Sequence, residues 1–108
     1  MAYDEALAER IRDRLRDALG MTEKKMFGGL AFLTHGTITV GAYGDDLLVR
    51  VDPQEVTATL AQPDVRPFVM GGRTTRGFVV VAGEALDDHA LDHWIAAAGA
   101  YVATLPPK

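Results

Sequence analysis

The segment best suited to bind a charged ligand is residues 71–77, in which glycines flank two arginines and two threonines. The arginines are Arg73 and Arg76, and Gly72 precedes the first of them. Guanidinium groups donate paired hydrogen bonds to carboxylate or phosphate oxygens, and neighbouring hydroxyls can add to such a site. The segment could therefore hold an anion at the tip of a hairpin. A flexible, solvated turn is the more ordinary interpretation, because most loops carry no function.

A second candidate is the sequence Met26-Phe27-Gly28-Gly29, which lies in an apolar segment. Glycine permits backbone conformations and close approaches that side chains block. The pair could form a bulge that exposes backbone to a partner. It could equally belong to a sharply bent strand under a helix, and this is favoured because apolar strand residues are most often core. The spacing does not match a phosphate-binding loop.

The remaining candidates are isolated charged or titratable residues. Arg50 stands in an otherwise apolar strand, so it must either pair with an acid inside the protein or lie on an open sheet face. His89 and His93 are one helical turn apart, with Asp88 and Asp92 beside them. That spacing can hold a divalent metal. Both histidines fall opposite the predicted core stripe, however, so we expect them to face solvent and predict no metal site.

The residue types restrict the chemistry further. Cysteine, serine and asparagine are absent from the sequence. Serine hydrolase triads, Ser-Lys dyads and Cys-His-Asn sites are therefore excluded, because their nucleophiles are missing. We predict no catalytic residue, no cofactor and no enzymatic activity.

Length and charge limit the classes of partner. The 108 residues predict a single domain, 1–108. The net charge is −4 and no segment forms a basic arm, so autonomous nucleic-acid binding is not expected. No apolar run approaches the ~20 residues of a membrane span, and the N-terminus lacks a signal-peptide pattern. The expected location is the cytoplasm.

Hydrophobic periodicity predicts the elements that position these candidates. Apolar residues at helical spacing predict helices over residues 4–19, from 52–53 to about 62, and from 85 or 86 to 102. Strand-like segments cover residues 25–33, 37–42, 46–51, 66–70 and 77–81. The predicted order is α-β-β-β-α-β-β-α. Helices on one face of an antiparallel sheet would bury these stripes, which predicts an α+β fold, a two-layer α/β sandwich.

Several of these segments together resemble the N-terminal domain of the TfoX/Sxy family. They are the Met-Phe-Gly-Gly box, the strand at residues 47–51, the Gly72-Arg73 turn and the strand that begins Gly77-Phe78-Val79. The resemblance implies a sheet fold like that of secretion chaperones, which often form dimers, so a homodimer is compatible with it. The competence regulators of the family carry a second, C-terminal domain, and this chain is expected to be a stand-alone N-terminal domain.

The leading hypothesis is a non-enzymatic regulatory module that binds another protein, transcription-related by resemblance. The contact would use the exposed sheet face or the two glycine-rich turns. The alternative is a small anion-binding or ligand-binding protein, or an enzyme of unrecognised type. That alternative would work through Arg50, Arg73, Arg76 and the hydroxyls of Thr74 and Thr75.

Overall fold

The computed structural model describes residues 3–18, 20–26 and 28–106. Over those residues the chain forms, in order, α1 Glu5–Leu15, β1 Met21–Met26, β2 Gly29–Thr34, β3 Thr37–Tyr43, β4 Asp46–Arg50, α2 Val56–Leu60, β5 Val65–Met70, β6 Arg73–Val81 and α3 Asp88–Val102. Short 3-10 turns at Pro53–Glu55 and Gly83–Ala85 precede α2 and α3. None of the helices in this part of the chain is long and apolar enough to cross a membrane.

The strands form one antiparallel sheet in the order β1-β2-β3-β4-β6-β5, so β1 and β5 are its edges. α1 packs against β3, α3 packs against β3 and β4, and α2 packs against β5 and β6. The core between helices and sheet includes Ile11, Phe32, Leu47, Val79 and Leu91, which are almost completely buried. The predicted α+β, two-layer sandwich is confirmed.

Carboxylate caps fix where the two long helices begin. The Ala6 N–H donates to Asp4 Oδ1 at 2.9 Å, and the Ala90 N–H donates to Asp87 Oδ1 at 2.7 Å. Such caps satisfy backbone donors that have no partner in the first turn of a helix. α1 ends earlier than predicted, and Leu19, the predicted last residue, lies outside the described residues. α3 begins later than predicted, because a 3-10 turn occupies residues 83–85.

The prediction of one strand over residues 25–33 is wrong. β1 ends at Met26 and β2 begins at Gly29, and these two residues pair across an antiparallel ladder. Gly28 has φ +78°, a backbone region that glycine enters without the steric cost of a Cβ. The chain therefore reverses direction here, where the prediction had a bulge or a bend.

The second glycine-rich segment is also more regular than predicted. Met70 pairs with Arg73, so only Gly71 and Gly72 form the turn, with φ +62° and +79°. β6 starts at Arg73, and residues 73–76 belong to a strand instead of a loop. Two consecutive positive φ values suit a tight hairpin turn, which explains why two glycines are needed there.

Candidate interaction surface

The predicted site residues lie in two separate parts of the sheet. Gly28 and Gly29 are at the turn between β1 and β2, next to one edge. Gly72 and Arg73 are at the turn between β5 and β6, next to the other edge. The register of the intervening strands also puts the two turns at opposite ends of the sheet. They cannot contribute to one compact site.

The Met-Phe-Gly-Gly box lies partly at the surface, and the strand that begins with its last glycine enters the core. Met26 is half-buried and Gly28 is exposed, whereas Phe27 lies outside the described residues. Leu30 and Phe32, which follow in β2, are buried under the helices. The packed interpretation is therefore right for β2, and Gly28 of the turn faces solvent.

The β5–β6 hairpin, residues 65–76, exposes apolar side chains. Val69 is 48% exposed and Met70 is 44% exposed, and they are the exposed large hydrophobic residues within the described chain. Val69 pairs with Thr74, and Met70 pairs with Arg73. Paired residues of neighbouring strands lie on the same face, and successive residues alternate faces. The end of the hairpin therefore offers one exposed apolar side chain on each face.

The hairpin is basic within an acidic chain. It carries three arginines and no acidic residue, although the whole chain has a net charge of −4. Arg66 donates to the carboxylate of Asp46. Arg73 and Arg76 are exposed, and neither side chain forms a hydrogen bond or an ion pair with another described residue. Their side chains are therefore available to acidic groups outside the chain.

The ladder of the hairpin is irregular at its base. The ladder between β5 and β6 shifts register between Pro67 and Val69. On the opposite strand, Gly77 is buried with φ +85°, and its carbonyl accepts a 2.9 Å hydrogen bond from the Val51 N–H. Such a bulge changes the direction of a strand. Residues 77–81 thus belong to the central sheet, and the end of the hairpin extends from it.

The outer face, the sheet surface opposite the helices, carries its own apolar cluster. The rings of Tyr43 and Phe68 meet edge to face with centroids 5.2 Å apart, and those of Phe68 and Phe78 are 6.1 Å apart. Leu48 and Val80 beneath them are each 1% exposed. Three aromatic rings therefore shield the strands where no helix does. The predicted open sheet face is partly closed by these side chains.

Arg50 belongs to this outer face. Its guanidinium carbon lies 5.1 Å from the centroid of the Phe78 ring, within cation–π range. Its Nε is buried and has no hydrogen-bond partner among the described residues. Of the two predicted alternatives, the structure shows the position on the outer face, with an aromatic ring in place of an acidic partner.

The two edge strands differ in how well they resist pairing with another chain. β1 presents three consecutive exposed charged residues, Glu23, Lys24 and Lys25, which discourage edge-to-edge association. β5 contains Pro67, which lacks a backbone donor. Val69 and Met70 follow that proline, so the last residues of β5 are less well protected than the rest of either edge.

Ion pairs on the helix side have a structural role. Arg12 donates two hydrogen bonds to Glu23, with Nε–Oε2 at 2.6 Å and Nη2–Oε1 at 2.8 Å, and this pairing lowers the pKa of Glu23. A hydrogen bond from Arg10 lowers the pKa of Asp88, and Arg14 adds to the effect. These contacts join α1 to β1 and to the start of α3.

The two histidines of α3 do not belong to a metal-binding cluster within the described residues. Within the described residues, no group of three or more His, Asp or Glu side chains is placed to hold a metal ion. His89 and His93 are exposed, as predicted, and the ring of His93 meets the edge of Trp94 at 5.5 Å. Asp92 is hydrogen-bonded to Arg14.

Val69 and Met70 were not predicted as surface residues. A signal was present, because residues 68–70 are three consecutive apolar residues in a predicted strand. A strand alternates its faces, so they cannot all point into one core. The aromatic cluster was less accessible to prediction, since Tyr43, Phe68 and Phe78 come from three strands and meet only in the folded sheet.

Comparison with known families finds a match to the family described as the TfoX N-terminal domain, over residues 13–101. The match includes both glycine-rich turns and all six strands. No curated protein and no solved structure was found to match the chain.

Proposed function

The chain belongs to the TfoX N-terminal domain family, and on that premise we propose that it is a non-enzymatic regulatory module that binds another protein through its β5–β6 hairpin. The main observation in support of this proposal is the exposure of Val69 and Met70 at the end of that hairpin. Exposed apolar residues next to unpaired cations are typical of contact surfaces, where aromatic residues, Met and Arg are enriched.

The chemistry of the hairpin defines the class of partner. Val69 and Met70 favour an apolar contact on each face of the hairpin, and Arg73 and Arg76 favour carboxylates around it. A protein segment with apolar side chains flanked by Asp or Glu has that composition. The unprotected end of β5 could also pair with an extended strand of the partner, as in β-augmentation.

The non-enzymatic role is supported by residue types. The sequence has no cysteine or serine nucleophile and no asparagine to orient a catalytic histidine. His35, His89 and His93 come from different parts of the chain or face solvent, so none has the arrangement of a base beside a nucleophile.

A nuclease-treated pull-down from the native host, quantified by mass spectrometry, tests the proposal. The bait variants are Val69→Thr/Met70→Thr, Arg73→Ala/Arg76→Ala, and the control Ala96→Ser/Ala100→Ser on the exposed face of α3. We expect a protein that wild type and control retain and that both hairpin variants lose. The same protein, purified, should bind wild type in calorimetry at least roughly thirtyfold more tightly than the apolar variant, as for a contact hot spot.

Two results would contradict the proposal. One is equal enrichment of every partner by wild type and the hairpin variants, provided that circular dichroism shows all baits folded. The other is loss of the partner in the α3 control, which would place the contact on the helix layer instead of the hairpin.

A further inference from the structure

A cavity of about 460 Å³ lies between the C-terminal ends of α1 and α3 and the turn that joins β2 to β3. Its walls are mainly apolar and include Leu15, Met21, Val102 and Leu105. Within residues 3–18, 20–26 and 28–106, no Asp, Glu, Lys or Arg side chain lines it. Small-molecule sites in proteins have volumes of about 300–1,000 Å³ and consist of apolar walls with a few polar groups. The size and lining of this cavity fall within that description.

The cavity stays open because Gly99 is a glycine. Gly99 lies inside α3, and a Cβ added there would meet no atom within 4 Å. Apart from proline, glycine is the least favourable residue in a helix interior, and close approach of other atoms is a usual structural reason for its presence. Here no packing contact requires it. A larger side chain at this position would enter the cavity.

Two hydroxyls supply the polar end of the cavity. The hydroxyl oxygens of Thr34 and Thr39 are 2.9 Å apart, and Thr39 is only 1% exposed. Thr39 is the extra residue where the ladder between β2 and β3 shifts register, which turns its side chain toward the helices. The pair has two O–H donors, and one of them is used in the hydrogen bond between the two hydroxyls. The remaining contact, from Thr39 to the Thr37 carbonyl, is long at 3.5 Å. One donor is thus available to a ligand oxygen.

His35 lines the mouth of the cavity and is held in place by the backbone. The Gly20 carbonyl accepts a 2.9 Å hydrogen bond from the His35 N–H. The ring lies so close to Gly20 that a Cβ there would be 2.3 Å from His35 Cε1. Gly20 also has φ +73°, so a glycine suits the position in two ways. The imidazole therefore lies against Gly20, beside the opening.

We propose that this cavity binds an uncharged small molecule with a hydrocarbon body of roughly ten to twenty non-hydrogen atoms and one hydroxyl or amide end. The apolar walls would cover the hydrocarbon, and the Thr34–Thr39 pair would bind the polar end. Among the described residues no Lys or Arg lines the cavity, and this disfavours a carboxylate. The inference does not depend on the proposed protein partner, because the cavity lies beside β1, β2 and β3 and the hairpin is at the other edge.

A titration of the ¹⁵N-labelled full chain, followed by two-dimensional NMR, tests the inference with three matched probes: 4-butylphenol, butylbenzene and 4-butylbenzoate. We expect saturable shifts of the Thr39, Gly99 and Val102 amides with 4-butylphenol. Butylbenzene should bind about fivefold more weakly, the equivalent of one neutral hydrogen bond. The charged 4-butylbenzoate should bind more weakly still.

Variants separate cavity binding from surface association. Gly99→Leu should fill the cavity and abolish binding, whereas Ala100→Leu, which adds the same side chain at the exposed neighbouring position, should bind as wild type does. The double variant Thr34→Val/Thr39→Val should remove the preference for 4-butylphenol over butylbenzene, because either hydroxyl alone could still bind the phenol. This last comparison remains decisive if Gly99→Leu does not fold.

The inference is overturned by shifts that do not saturate with any probe. It is also overturned if Gly99→Leu, when folded, binds as wild type does, or if Thr34→Val/Thr39→Val keeps the full preference for the phenol. Tightest binding of 4-butylbenzoate would contradict the uncharged ligand class.

Discussion

Replacing Phe68 with alanine should strongly destabilise the fold, although no helix covers its face of the sheet. Phe68 is 4% exposed and contacts the cluster that shields Leu48 and Val80. Truncating a buried Phe costs about 3–5 kcal/mol. Tyr43 and Phe78 are half-buried, so water can partly fill the gap. We therefore expect a loss near the lower end of that range, about 3 kcal/mol.

Urea unfolding followed by tryptophan fluorescence measures this loss, because Trp94 is the single tryptophan and is buried in the main core. Val69→Ala is the matched control, since Val69 is the next residue and 48% exposed. It should cost less than about 1 kcal/mol. A Phe68→Ala variant within about 1 kcal/mol of wild type would refute the reasoning that aromatic rings close the outer face.

Other predictions concern single contacts. Phe68→Ala and Phe78→Ala should couple by about 0.5–1.5 kcal/mol in a double-mutant cycle; strict additivity would show that the rings do not interact. Gly28→Ala should cost about 1–2 kcal/mol in urea unfolding because φ is +78°, whereas Gly99→Ala should stabilise α3 by up to about 1 kcal/mol. If Gly99→Ala cost more stability than Gly28→Ala, the positive φ assigned to Gly28 and the open space beside Gly99 would be contradicted. Arg12 lowers the pKa of Glu23, so this pair stabilises the fold above the unfolded Glu pKa of about 4.3, and the benefit is lost as pH falls through the lower folded pKa. Glu23→Gln should flatten that part of the stability–pH curve by no more than about 1 kcal/mol, because the pair is partly exposed; an unchanged curve would show that the pair contributes nothing.

The helices were largely predictable from the sequence because their signals are local. The apolar spacing of Leu91, Trp94, Ile95, Ala98 and Val102 identifies the buried side of α3, and all five are buried. Periodicity depends only on the residues of one element, so tertiary structure does not need to be known.

The turns were harder to predict, since the sequence does not state the sign of φ. Met26 to Leu30 form an unbroken apolar and glycine run, which is compatible with a single strand until Gly28 adopts a positive φ. Arg73 to Arg76 are polar and resemble a loop, yet pairing with Val69 and Met70 makes them a strand. The cavity beside Gly99 depends on how two helix ends meet the sheet, which no local pattern contains.

The proposed role of the hairpin is tested most directly by photo-crosslinking in the native host. The photoreactive residue p-benzoylphenylalanine is placed at position 70, on the hairpin, and separately at position 96, on the exposed face of α3. We expect a crosslinked protein partner from position 70 that position 96 does not give and that Arg73→Ala/Arg76→Ala weakens. No crosslinked species from position 70, or the same species from both positions, would contradict the assignment of the hairpin as the partner-binding surface.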